Sequence, residues 1–146
     1  MNDGICIDAN IFVSTQDILE PHYRTSVNVL QEIETQSKPI FIPAVFLFET
    51  TSVLHRKRLQ GLLTTDQALR SFDLLRRLPF LAHWDLEILE EAQRMASMAG
   101  VKRINDYTYV AVAQKRKIPF VTLDEQLIKT GKQFYSQIVH ASNFHF

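Results

Sequence analysis

Four carboxylates in this chain fall where an α/β protein could use them for chemistry. Asp8 closes the apolar run Ile5-Cys6-Ile7, Asp124 closes Ile118 to Leu123, Asp106 heads a helical segment, and Glu49 lies one turn into another. In an open parallel sheet, ligands sit beyond the carboxyl ends of the strands, so acids at two strand ends would face one crevice. Four carboxylates gathered there repel one another in a low dielectric unless a cation neutralises them. Oxygen donors with no histidine or cysteine ligand pattern favour a hard cation, Mg²⁺ or Mn²⁺, over zinc. Asn10 and Thr122 each stand two residues from an acid, with an amide or hydroxyl able to orient it.

Each acid also has an ordinary reading. Asp8 can cap a turn, and Asp106 and Asp124 are both placed as helix N-caps. Glu49, flanked by Val45-Phe46-Leu47-Phe48, is expected in largely apolar surroundings, where an unpaired glutamate is costly.

The elements that would position these groups alternate between strand and helix. Ile5 to Ile7 reads as a first strand, within an apolar run to Val13, followed by polar turn and capping residues Ser14, Thr15 and Asp17. Helical spacing of Tyr23, Val27, Leu30 and Ile33 predicts a helix over about residues 21–35, with Pro21 in its first turn. Ile40-Phe41-Ile42, between prolines, is a second strand. Ala44 to Leu59 is a helix with a broad apolar face through Val45, Phe48, Ser52 and Leu54. Thr64-Thr65-Asp66-Gln67 matches a capping box and opens a helix bearing Leu69, Phe72 and Leu75. Phe80 to Trp84 predicts a third strand, and Asp85 caps a helix with Leu86, Leu89, Met95 and Ala99 that ends at Gly100. Tyr107 to Arg116 is helical, Ile118 to Leu123 has the near-continuous apolar character of a buried parallel strand, and Gln137 to His140 closes the series after a short helix. Such alternation predicts a parallel α/β sheet with helices on both faces, in a single domain over residues 1–146.

Composition narrows the class without naming a ligand. Lysine plus arginine equals aspartate plus glutamate at 16 each, so no global positive field announces a nucleic acid, and local patches must supply one. At 46% apolar and 22% charged residues, the chain has ordinary globular usage. Cys6, the single cysteine, excludes an intramolecular disulfide and fits a reducing compartment. Met1-Asn2-Asp3-Gly4 has no basic region, which argues against a secretory signal. The longest apolar stretch, Ile40 to Phe48, is too short to span a bilayer as a helix. The expected location is cytoplasmic.

Taken together, four segments resemble the PIN domain, a metal-dependent nuclease fold that includes VapC-type toxins. Ile-Asp-Ala-Asn-Ile-Phe-Val at residues 7–13 is similar to the family's first-strand acid motif. Ile42 to Glu49 resembles the strand, proline and helix leading to its glutamate. Asn105 to Ala113 resembles the segment with its third acid, and Pro119 to Leu127 the Thr-x-Asp ending of its fourth strand. The resemblance implies a three-layer α/β/α fold with five parallel strands in order 3-2-1-4-5. It also implies one or two Mg²⁺ or Mn²⁺ ions held by Asp8, Glu49, Asp106 and Asp124, directly or through water, with Asn10 and Thr122 in support. The implied reaction is hydrolysis of RNA phosphodiester bonds, with no side-chain nucleophile. The implied partners are RNA, an antitoxin protein and a second copy of the chain.

Arg56-Lys57-Arg58, Arg76-Arg77, Lys102-Arg103 and Lys115-Arg116-Lys117 are candidate phosphate contacts. Lys102 and Arg103 are favoured because they precede Asp106. The five histidines are scattered without metal-binding spacing. A haloacid-dehalogenase-like phosphatase would need an aspartate where Asn10 stands, and a response-regulator receiver would need an adjacent acidic pair and a lysine near the last strand. A non-catalytic RNA-binding or protein-interaction module is the standing alternative, since fold alone does not establish activity; all four acids being present argues against it.

Overall fold

The first acid is also where the first strand ends. In the computed structural model, which describes residues 3–146, β1 (Cys6–Ile7) is two residues long. Met1 and Asn2, part of the stretch read for a secretory signal, lie outside the described residues. At Asp8 the chain leaves the sheet and at once forms α1 (Ala9–Ser14), with the Asp8 carboxylate accepting from the Asn10 N–H as its N-cap. The apolar run to Val13 is therefore strand and then helix. Ala9, Ile11, Phe12 and Val13 are all buried, so the run has no polar face to reveal a helical period.

The remaining elements follow in alternation: α2 (Tyr23–Thr35), β2 (Ile40–Pro43), α3 (Val45–Leu59), α4 (Thr65–Arg77), β3 (Phe80–His83) and α5 (Leu86–Ala99). After these come α6 (Asn105–Arg116), β4 (Phe120–Thr122), α7 (Glu125–Gly131) and β5 (Ile138–His140). All strand pairs are parallel. β1 pairs with β4, with Cys6 opposite Phe120, and β4 with β5, with Thr122 opposite His140. β2 and β3 form a second ladder from Ile40–Phe80 to Pro43–His83. One parallel bridge, Ile5 to Ile40, joins the two ladders, with the Phe41 N–H donating to the Ile5 carbonyl at 2.8 Å. The expected five-stranded order thus becomes two ladders meeting at a single bridge, because β1 is too short to pair continuously with β2. Helices cover the sheet in a three-layer α/β/α fold; α6 packs on β1, β2 and β4, and α1 packs against α2 and α3.

Several helix faces are rotated from the expected ones. In α3 the buried positions are Phe46, Thr50 and Leu54, while Leu47 and Phe48 face outward. α2 starts at Tyr23, after Pro21, and buries Ser26, Val29 and Ile33. The Thr64–Gln67 capping box closes in both directions, but Leu69 on α4 is exposed and Ala68 and Ser71 turn inward. Asp85 and Gly100 cap α5 as expected, whereas Leu86 and Leu89 are exposed and Ile88, Ala92, Met95 and Ala96 are buried. Apolar residues occur on both sides of these helices, so the side that meets the sheet is set by packing. α6 is buried from Tyr107 through Ala113, and Tyr109 stacks on Phe120 of β4 at 5.6 Å between ring centroids. Among the described residues no helix is long and apolar enough to cross a membrane.

Candidate functional site

Thr122, the last residue of β4, organises the carboxyl edge. Fully buried, its hydroxyl donates to Oδ2 of Asp8 at 2.8 Å. Thr122 Oγ1 in turn accepts from the Asn10 amide at 3.4 Å and from the Asp124 backbone N–H at 3.1 Å. Asn10 completes the link by accepting from the Leu123 N–H through its own Oδ1. One hydroxyl therefore ties the end of β1, the start of α1 and the end of β4 together. Asp124 spends Oδ1 on capping α7, accepting from Leu127 N–H at 3.0 Å.

Glu49 reaches this region from α3. Contrary to the sequence expectation of an unpaired glutamate in apolar surroundings, both carboxylate oxygens are hydrogen-bonded, although Phe48 lines the same cleft. Tyr109 donates its hydroxyl to Oε2 at 3.0 Å, and the Asn105 amide donates to Oε1 at 3.1 Å. Burial, then the charges of Asp8 and Glu49, push the Tyr109 phenol far above its usual range, so it stays protonated as a donor. Asp106 is not the N-cap of α6. That place belongs to Ile104, which has no side chain to cap with, and Asp106 sits in the first turn with its carboxylate left over for the site.

The electrostatics show how closely the acids are coupled. Burial pushes the Asp8 carboxyl up to about 7, with Asp106 and Glu49 adding repulsion and the bonds from Thr122 and Asn10 opposing it. Partial loss of hydration, Asp124 and Glu49 raise Asp106, while Arg103 pulls the other way. Among the described residues, no three His, Cys, Asp or Glu side chains form a compact cation cage. The donor set still suits a hydrated hard cation: every donor is an oxygen, and buried Asp8 feels two like charges that a cation would relieve.

These groups open into a cleft of about 720 Å³ lined by Asp8, Asn10, Glu49, Asp106, Arg103 and Asn105, with one side of α3 as its far wall. Asp124 and Thr122 are not among the lining residues. Of the two favoured cations Arg103 lines the cleft and Lys102 does not. Arg56 and Lys57 do, but Lys57 is committed to Asp17 (3.4 Å) and Glu20. The other basic runs contribute nothing to the lining: Lys115 pairs with Asp85 and Glu87, and Arg116 lies over the Phe41 ring. Arg56 was already among the candidate phosphate contacts, whereas sequence reading missed Tyr109 and Asn105 as partners of Glu49. No local pattern points to them, because Glu49 meets them across 60 and 56 residues of chain.

Comparison with known proteins adds the family. The chain matches PAE2754 from Pyrobaculum aerophilum at 20% identity and a TM-score of 0.65, covering 97% of this chain and 92% of that one. It matches Mycobacterium tuberculosis VapC20, a Sarcin-Ricin loop cleaving toxin, at 17% identity and a TM-score of 0.67, covering 88% and 95%. It also matches VapBC2 from Rickettsia felis, bound to a DNA fragment from its promoter, at 13% identity and a TM-score of 0.66, covering 93% and 97%. At these identities the likeness is one of fold. No curated protein sequence matches the chain. The PIN domain family model matches residues 5–133, nearly the whole of the α/β unit just described, and the chain belongs to the PIN domain family.

Proposed function

We propose that this protein is a cytoplasmic, divalent-metal-dependent endoribonuclease that hydrolyses RNA phosphodiester bonds and serves as the toxin of a toxin–antitoxin pair. The observation that carries this reading is the state of Asp8, a buried carboxylate held by Thr122 and pressed by Asp106 and Glu49. A fold retains such repulsion at a cost in stability, and a cation site gives it a purpose.

In this reading Asp8, Glu49, Asp106 and Asp124 hold Mg²⁺ or Mn²⁺ directly or through water. A bound divalent cation would neutralise phosphate charge, lower the pKa of water and stabilise the leaving oxygen. The protein's own groups set the geometry. Thr122 and Asn10 fix the Asp8 carboxylate, Tyr109 and Asn105 fix Glu49, and the capping role of Asp124 leaves its second oxygen for the site. Arg103 at the rim attracts the backbone phosphate, and Lys102 adds positive charge beside it. The toxin role, an antitoxin partner and a homodimeric state are the finer part of the proposal. They are supported by the fold shared with VapC20 and VapBC2.

The test is cleavage of mixed RNA substrates with Mg²⁺ or Mn²⁺ by the wild-type chain, Asp8→Asn and Asp124→Asn, with folding checked by circular dichroism. Metal-dependent cleavage lost in both variants is expected. Full activity in the folded variants, or in excess chelator, overturns the proposal.

A further inference from the structure

One wall residue of the cleft has no part in the carboxylate network. Phe48 is 74% exposed, lines the cleft beside Glu49 and lies outside the hydrophobic core. A solitary exposed apolar residue is unremarkable in itself. Its neighbours on α3 are what distinguish it. Phe48, Ser52 and Arg56 recur every four residues, so they form one row along the helix at about 6 Å per step, and all three line the cleft. Arg56 has no acidic partner among the described residues, in contrast to Lys57 next to it, and Arg103 stands among the lining residues with it. The row thus presents an aromatic face at the acidic end, a small residue in the middle, and a free guanidinium two turns away.

An aromatic face sharing a cleft with the unpaired Arg56 and with Arg103 matches an unpaired nucleotide, whose base can stack while its phosphates are held. A base within a duplex offers no free face. We propose that Phe48 is a specificity-determining residue: it stacks on an unpaired base next to the phosphate held at the acids, and Arg56 takes a neighbouring phosphate along α3. This rests on the ribonuclease reading above and deepens it. Purines present the larger face, so a modest preference for a purine at the stacked position follows.

The test uses Asp8→Asn protein, so that RNA is bound and not cut, with Mg²⁺ present. Fluorescence anisotropy compares an unpaired oligoadenylate with the same strand annealed to its complement. Phe48→Ala in this background is expected to weaken unpaired binding by roughly 5- to 150-fold with little change for the duplex, and Phe48→Trp to restore it. Circular dichroism checks that both variants fold. Unchanged affinity in Phe48→Ala overturns the stacking role, as does a loss that Phe48→Trp does not repair. Either result leaves wild-type cleavage, and so the nuclease reading, standing. Absence of both RNA binding and wild-type cleavage overturns the two together.

Discussion

Two charged regions of this protein handle their carboxylates in opposite ways. Where α5 and α6 meet, Asp85 caps a helix and bonds Lys115 at 3.0 Å, with Glu87 sharing the same ammonium at 3.1 Å. The Lys115 contact holds the Asp85 carboxyl below its usual range. At the carboxyl edge of β1 and β4, Asp8 caps a helix too, yet burial and like charges push it up to about 7. Both acids do the same local job. The difference is that one region neutralises its charges pairwise at the surface, and the other sets one buried carboxylate, Asp8, beside like charges that are half-buried or exposed. Surface pairing contributes little to stability, whereas a buried carboxylate facing like charges costs stability.

The most severe way to break this contrast is Asp8→Asn, which is expected to abolish detectable metal-dependent RNA cleavage in a gel assay. The same substitution should sharpen the contrast thermodynamically. With its pKa raised from 3.8 to about 7, Asp8 binds a proton more readily folded than unfolded, so in metal-free protein its own contribution to stability falls as pH rises from about 4 to about 7. Asp8→Asn should remove that slope and be more stable at pH 8 by on the order of 2 to 4 kcal/mol, read from urea unfolding in chelator. A stability difference between Asp8→Asn and wild type that fails to grow over this interval would contradict the raised pKa.

Thr122→Val keeps the side-chain shape and removes the hydroxyl that joins Asp8, Asn10 and Asp124. A loss of about 10- to 100-fold in metal affinity or cleavage rate is expected, measured by metal titration of the activity. Arg103→Ala should weaken RNA binding for all sequences alike and reduce the slope of log affinity against log salt by about one. Smallest of all, Lys115→Ala should leave both the melting temperature and cleavage unchanged within error, since its ion pairs lie at the surface. A marked loss there would show that the two regions are less different than their electrostatics indicate.

What was legible in the sequence follows from the range of the physics. The acids at strand ends, the Thr64–Gln67 capping box, the Asp85 and Asp124 caps and the Gly100 stop all depend on groups within a few residues of each other. Each carries its own signature, and the order of strands and helices follows from them. The choice between strand and helix after Asp8 was not legible, because Ile11, Phe12 and Val13 are buried in either case and leave no period. Nor was the outward turn of Phe48, since α3 is apolar on more than one side.

By itself, then, the sequence determined the identity of the four acids and the elements that carry them, through caps, turns and strand-end residues that act locally. Tertiary structure alone decided how those acids are held and which cations stand by them. Tyr109 and Asn105 reach Glu49 from another helix, one Thr122 hydroxyl serves two strands and a helix, and Arg103 rather than Lys102 faces the cleft. The physical reason is that a hydrogen bond or a like-charge repulsion between residues dozens of positions apart exists only once the sheet has brought them together.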